Sequence, residues 1–182
     1  MYSAMAAVSE CMADHKKTAA YLCSNIDYTL QAFENDTARH GKAYCSDGKY
    51  EDAITVYETF FEVMRVIFKD EIPPSYHDFD SGDCYLLLAE AYIAAGKTSK
   101  AMDAVEKSVM YYIDLYNTYT EENILQRSHI KSPVVRETEL VTSLPKKIIK
   151  QKLLYKLSAP GIQALNREAR FLELSETVNN LS

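Results

Sequence analysis

The sequence predicts an all-α protein of about three helical hairpins with a C-terminal helical cap. Glycine and proline are scarce, five of each among 182 residues, which argues against a turn-rich all-β fold. Alanine, leucine, glutamate and lysine are frequent in the stretches where apolar residues recur at helical spacing. The third observation is an internal repeat, because the segment around Gly48 returns 48 residues later around Gly96.

The best-formed hairpin is predicted from Asp83 to Tyr112, with a tight turn at Gly96 between its two helices. The first helix carries a bulky residue, a leucine, a small residue and a tyrosine, and the second carries an alanine and a large apolar residue. These positions are Tyr85, Leu88, Ala89, Tyr92, Ala101 and Val105. The apolar stripe of the second helix continues to about Asn123, so the unit is assigned to residues 81–123.

The second hairpin, at residues 34–70, has its turn at Gly48 and repeats residues of the hairpin at 81–123. The identical pairs are Ala43 and Ala91, Tyr44 and Tyr92, Gly48 and Gly96, Lys49 and Lys97, Ala53 and Ala101, and Glu58 and Glu106. Most of these are small or turn positions, which let two helices pack closely. The excess length between the units lies in residues 70–80, where Pro73 and Pro74 prevent a continuous helix.

The two ends of the chain are less regular. Residues 3–13 are predicted to form a helix with Met5, Val8 and Met12 on one face, followed by a turn at 14–16 and a helix at 17–33. Near the other end, residues 128–143 are predicted to be a loop, and residues 146–157 and 168–181 are predicted to be helices. The repeat array is therefore assigned to residues 1–127, with a degenerate first unit at 1–33, and the loop and helical cap to 128–182.

Charge and cysteine usage restrict the function classes. Residues 1–125 carry a net charge of −11 and residues 126–182 carry +5, which is unlike the dense basic face of a nucleic-acid-binding domain. No apolar run is long enough to span a bilayer, and the N-terminus lacks the pattern of a signal peptide. The cysteines (Cys11, Cys23, Cys45 and Cys84) have no metal-binding spacing, so we expect reduced thiols in a cytoplasmic protein.

No catalytic constellation is recognisable. The sequence lacks a nucleophile elbow, a phosphate-binding loop, a dinucleotide fingerprint and a His-Glu-x2-His motif. Its histidines are scattered, at His15, His40, His77 and His129, without the spacing of metal ligands. We therefore expect no enzymatic activity, no metal site and no cofactor.

Two features leave alternatives open. Tyr111, Tyr112, Tyr116 and Tyr119 follow one predicted helix, where they can be core residues with their hydroxyls at the rim or a band that stacks on a ligand. Five lysines between 146 and 156 give another helix a basic face. That face can dock on an acidic partner, pair with the acidic part of the same chain, or remain solvated.

The signatures at residues 37–57 and 85–105 resemble tetratricopeptide repeats. The stretch from Leu157 to Phe171, with Pro160, Gly161 and Asn166, resembles the ending of the C-terminal repeat region in bacterial Cro/repressor-type helix-turn-helix transcriptional regulators. The resemblance implies a tetratricopeptide-like α–α superhelix that binds a peptide, a protein or a second copy of itself. It implies no DNA binding here, because residues 1–33 show no helix-turn-helix with a basic recognition helix.

In such arrays the first helix of each hairpin lines a concave groove. The corresponding residues here are Asn35, Ala38, Lys42 and Cys45 in the second unit and Asp83, Leu86, Glu90 and Ile93 in the third. The arrangement of two asparagines and several lysines that clamps a C-terminal carboxylate in this family is absent. We expect a protein- or peptide-binding module, as the sensor or partner-binding part of a transcriptional regulator. The alternative is a structural homodimerisation domain.

Overall fold

Helices dominate the computed structural model, which describes residues 2–12, 15–68, 75–76, 79–118 and 146–181. The helices are α1 (Tyr2–Cys11), α2 (His15–Ser46), α3 (Tyr50–Phe68), α4 (Ser81–Ala94), α5 (Thr98–Thr118), α6 (Lys146–Leu157) and α7 (Ala169–Asn179). A 3-10 turn, Ile162–Leu165, precedes α7. Strands β1 (Ser75–Tyr76) and β2 (Phe79–Asp80) pair antiparallel before α4, with Ser75 opposite Asp80 and Tyr76 opposite Phe79. The predicted all-α class is confirmed.

Helix α2 corrects the sequence analysis, which placed a boundary between units at residue 33. A single helix of 32 residues begins at His15, inside the turn predicted at 14–16, and runs through residue 33. No glycine or proline occurs between His15 and His40, so nothing interrupts the backbone hydrogen bonds. The degenerate first unit and the second unit therefore share α2, and α1 packs against it.

The apolar stripe predicted on the first helix faces outward. Met5, Val8 and Met12 are exposed by 39, 61 and 74 %, whereas Ala6 is 3 % exposed. The small alanine side chain allows the helix axes of α1 and α2 to approach closely, and the larger side chains on the other face remain in solvent. Residues 69–74 and 119–145 lie outside the described part of the chain, and so does the predicted loop at 128–143.

The two glycine turns have the same backbone structure. Gly48 and Gly96 adopt φ angles of 74° and 73°, a left-handed conformation that is sterically unfavourable for other residues. In each turn the N–H of the following lysine donates to the carbonyl of a tyrosine five residues earlier, at 2.9 Å for Lys49 to Tyr44 and 2.8 Å for Lys97 to Tyr92. This is a Schellman cap, and it reverses the chain after α2 and after α4 in the same way.

Small residues allow the helices of each hairpin to pack closely. Ala53, Ala89 and Ala101 are completely buried, and a methyl group added at Gly41 would overlap the ring of Tyr57. The Tyr57 hydroxyl donates to the carbonyl of Ala38 across the same interface, at 3.4 Å. The ring of Tyr57 on α3 therefore leaves room only for glycine at position 41, although this position lies within a helix.

Successive hairpins are joined by recurring contacts. Glu58 of α3 accepts a hydrogen bond from Tyr92 and lies 3.8 Å from the amine of Lys100, near the start of α5. Glu106, 48 residues later, accepts from Arg170, near the start of α7. Helices α6 and α7 both pack against α5, and Arg170 ties the start of α7 to Glu106.

One apolar core passes through the stacked hairpins. It contains aromatic residues of α3 and α4, with the rings of Phe61 and Tyr85 stacked at a centroid distance of 3.8 Å. It continues into the C-terminal hairpin through Ile149, Leu153, Leu157, Ile162, Leu165, Phe171 and Val178. The predicted C-terminal cap is thus part of the main core.

Candidate functional site

The residues predicted to line a concave groove fall into two groups. On α2, Asn35 and Lys42 are exposed and Cys45 is half-buried. On α4, Leu86 is 6 % exposed, and Asp83, Glu90 and Ile93 are half-buried. Asn35 and Lys42 of α2 therefore face solvent, while Cys45 and the α4 residues are half-buried or buried.

Helix α6 covers Asp83. Its carboxylate lies 2.6 Å from the amine of Lys156 and 3.7 Å from that of Lys152, and it accepts a hydrogen bond from Tyr112 at 2.5 Å. Two lysines of the basic helix thus pair with the acidic part of the same chain, one of the alternatives that the sequence left open.

Glu90 is enclosed by three elements. Its side chain packs against Gly161, where an added methyl group would lie 3.2 Å from the Glu90 Cγ. Burial raises the pKa of Glu90, and the charges of Lys42 on α2 and Lys156 on α6 oppose that shift. The first helices of three successive hairpins therefore meet at this carboxyl group. In this structure, Asp83, Leu86 and Glu90 make contacts within the chain.

A second groove, which the sequence did not predict, lies between α3 and α5 with α4 as its floor. It has two connected lobes, each with a cavity volume of about 250 Å³. Both lobes are lined by Glu58, Tyr85, Leu88, Tyr92 and Lys107. We call this the outer groove, because it lies on the second helices of the hairpins, away from the predicted concave face.

Charged side chains of both signs surround the floor of the outer groove. Glu62 and Arg65 come from α3, while Lys100 and Asp103 come from α5. The amine of Lys100 lies 5.4 Å from the centroid of the Tyr92 ring, and the amine of Lys107 lies 5.6 Å from that of Tyr85. These distances are typical of cation–π contacts.

Tyr85 contacts charged and aromatic residues of both α3 and α5 in this groove. Its hydroxyl hydrogen-bonds with Arg65 and with Tyr111, whose ring lies 5.6 Å away. Burial raises the pKa of Tyr85, and the Arg65 charge and hydrogen bond oppose this effect. Burial likewise raises the pKa of Tyr111 to about 12. Both phenols are therefore neutral hydrogen-bonding groups at physiological pH.

The structure assigns two of the four tyrosines in the predicted band to the core. Tyr112 and Tyr116 are 1 and 6 % exposed, whereas Tyr111 is half-buried beside the outer groove. Tyr119 lies outside the described residues. The sequence could not separate these roles, because a tyrosine at helical spacing fits a core or a groove equally well.

Glu34 on α2 is a buried acidic group that the sequence analysis missed. It has no solvent exposure, and neither carboxyl oxygen has a hydrogen-bond partner among the described residues. Burial raises its pKa from 4.5 to about 9. Its helical spacing from Leu30 and Thr37, both buried, was the available signal.

Cysteine and metal chemistry are limited in the described part of the chain. Cys84 is completely buried, and this burial raises the pKa of its thiol. Cys11 is exposed. No group of three or more His, Cys, Asp or Glu side chains among the described residues could hold a metal ion. None of the described helices combines the length and the apolar character needed to cross a membrane.

The comparisons with known proteins place this chain in no family. No protein-family profile, no curated protein and no solved structure matches it.

Proposed function

We propose that this chain is a non-catalytic protein- or peptide-binding module built as a tetratricopeptide-like α–α superhelix. The equivalent turns at Gly48 and Gly96 support this architecture. So do the equivalent contacts of Glu58 and Glu106 between hairpins. Stacked helical hairpins present long surfaces that several residues of an extended partner can contact at once.

The observation that carries the proposal is the outer groove. Each lobe, at about 250 Å³, is below the ~300–1,000 Å³ typical of pockets for whole small molecules. Two connected lobes of this size suit the successive side chains of a bound segment. The floor residues Tyr85, Leu88 and Tyr92 are 4, 5 and 5 % exposed, so they offer a small apolar and aromatic surface, while the charged rims provide orientation.

The resemblance of residues 157–171 to the ending of bacterial regulator repeat regions supplies the cellular setting of the proposal. The module then acts in the cytoplasm as the sensor or partner-binding part of a transcriptional regulator, without contacting nucleic acid itself. A partner segment bound to the hairpins would change how the regulator assembles.

Peptide selection followed by cross-linking tests the proposed function. The purified protein is used to select peptides from a displayed library of random sequences, and selected peptides are synthesised with a photo-reactive group. Cross-links to residues 58–65 or 100–107 support binding in the outer groove. Cross-links confined to the exposed face of α2 around Asn35 and Lys42 would move the site to the predicted concave surface. Failure to select any saturable binder argues against a peptide-binding module.

Homodimerisation remains the alternative function because α1 presents an apolar outer face. Met5 and Val8 of α1, and Met12 directly after it, are exposed apolar side chains that a second copy of the chain would cover in a dimer. Sedimentation velocity tests this alternative. A dimer that Val8→Lys dissociates would support it, provided that Val66→Lys does not have the same effect, since Val66 is 81 % exposed on a different helix. A monomeric wild-type protein at high concentration would exclude it.

A further inference from the structure

Two cations in the outer groove lack a carboxylate partner among the described residues. Arg65 of α3 hydrogen-bonds to Tyr85, and Lys107 of α5 lies over the ring of the same tyrosine at 5.6 Å. The other basic group of this groove, Lys100, is already close to Glu58. Arg65 and Lys107 are both exposed, so an incoming group can reach them from solvent.

Two acidic groups around the groove, unlike Arg65 and Lys107, have partners of opposite charge within the part of the chain that the structure describes. Glu58 is engaged by Tyr92 and Lys100, and Asp103 is engaged by Arg170 at 3.0 Å. Glu62 is exposed on α3, three residues before Arg65. These carboxylates disfavour a polyanion such as a nucleic acid along the groove, because several like charges would face it. A single anionic group placed between Arg65 and Lys107 avoids most of that repulsion.

We propose that the outer groove recognises a partner peptide through one Asp or Glu side chain, received between Arg65 and Lys107 at the rim of the groove beside Tyr85. This inference rests on the proposed function and names the chemistry of its partner. A guanidinium and an ammonium on facing helices give two charge-assisted hydrogen bonds to one carboxylate. A neighbouring apolar side chain of the peptide then enters the lobe beside Leu88 and Ala104.

Glu62 provides a variant for which the proposal predicts tighter and not weaker binding. It lies on the same rim as Arg65, so its charge weakens the attraction that the two cations exert on an acidic ligand. Replacing Glu62 by glutamine should therefore tighten binding. Higher salt should weaken binding, because all three groups are exposed and screened by ions.

The test uses fluorescently labelled peptides selected with the full chain, and their affinities are measured by fluorescence polarisation. We expect an Asp or Glu in the selected sequences, and replacing that residue by Asn or Gln should weaken binding about tenfold or more. The double variant R65Q/K107Q should show a loss of similar size, while R65K/K107R retains most of the affinity. The control R39Q/K147Q removes the same charges from exposed positions on α2 and α6.

The outcomes separate this inference from the proposed function. Peptides that cross-link to the outer groove but bind R65Q/K107Q as tightly as wild type overturn the acidic-ligand proposal and leave the peptide-binding module intact. Weaker binding by Glu62→Gln would also contradict it. If no peptide is selected, both proposals fail together. Circular dichroism melts of each variant establish that any loss reflects binding and not unfolding.

Discussion

Replacing Glu34 by glutamine tests the most unusual feature of the core. Glu34 is completely buried on α2, and within the described part of the chain its two carboxyl oxygens have no hydrogen-bond partner. Burial raises its pKa from 4.5 to about 9, so the folded protein holds this group protonated at neutral pH. In the unfolded chain the same group is ionised at that pH. Folding therefore requires the uptake of one proton.

The sign and size of the effect follow from this difference in pKa. Because the folded pKa is the higher one, the stability contributed by Glu34 is fully present below pH 4.5 and is lost as the pH rises through about 9. Each pH unit in that window lowers the free energy of unfolding by about 1.4 kcal/mol. Protonating Glu34 therefore costs about 3 kcal/mol at pH 7 by the same relation. Glutamine has nearly the same shape and does not titrate.

The assay is urea unfolding of wild type and Glu34→Gln at several pH values, followed by circular dichroism. We expect the variant to be more stable by about 3 kcal/mol at pH 7. We also expect the difference between the two proteins to grow by about 1.4 kcal/mol per pH unit between pH 5.5 and pH 8.5. Glu62→Gln, at an exposed position on α3, controls for the loss of one carboxylate. A difference that stays constant over this range would refute the reasoning.

Three other predictions concern packing, turns and thiols. Gly41→Ala should lower the free energy of unfolding by about 1–3 kcal/mol because the new methyl group meets the Tyr57 ring. The next unit has Ala89 and Val105 at the equivalent positions. In a double-mutant cycle, most of the loss should therefore disappear when Gly41→Ala is combined with Tyr57→Val. Gly48→Ala and Gly96→Ala should each destabilise by about 1–2 kcal/mol, since both glycines have positive φ; equal stability of either variant and wild type in urea unfolding would show that the turn tolerates a side chain. Iodoacetamide should alkylate the exposed Cys11 much faster than the buried Cys84, whose thiol pKa is raised, and peptide mapping that finds equal rates in the native protein would contradict the burial of Cys84.

Local signals were sufficient to predict most of the secondary structure. Glycine after a helical stripe predicts a left-handed C-cap, and both Gly48 and Gly96 have that conformation. The spacing of Ile149, Leu153 and Leu157 predicted α6, and all three residues are buried. The sequence pattern failed at α2, where a boundary between units was expected at residue 33. No glycine or proline occurs between His15 and His40, so α2 continues through that position.

The candidate sites depended on contacts between distant segments. The α4 residues Asp83, Leu86 and Glu90 were expected to line an open groove, but α6 and Gly161 cover them. The outer groove was missed because three helices contribute to it, and its charged residues look like an ordinary solvated surface in the sequence. No periodicity in the sequence reports that Arg65 and Lys107 meet at the same tyrosine.

The sequence by itself determined the turns at Gly48 and Gly96 and the helices on either side of them, because these depend on backbone conformation and on side-chain spacing within a single segment. Tertiary structure alone decided which faces are covered. It buried Glu34 without a hydrogen-bond partner among the described residues, left the apolar face of α1 in solvent, and placed the C-terminal hairpin against α4 and α5. Burial depends on what lies opposite a helix, and residues that are far apart in the sequence supply that opposite surface.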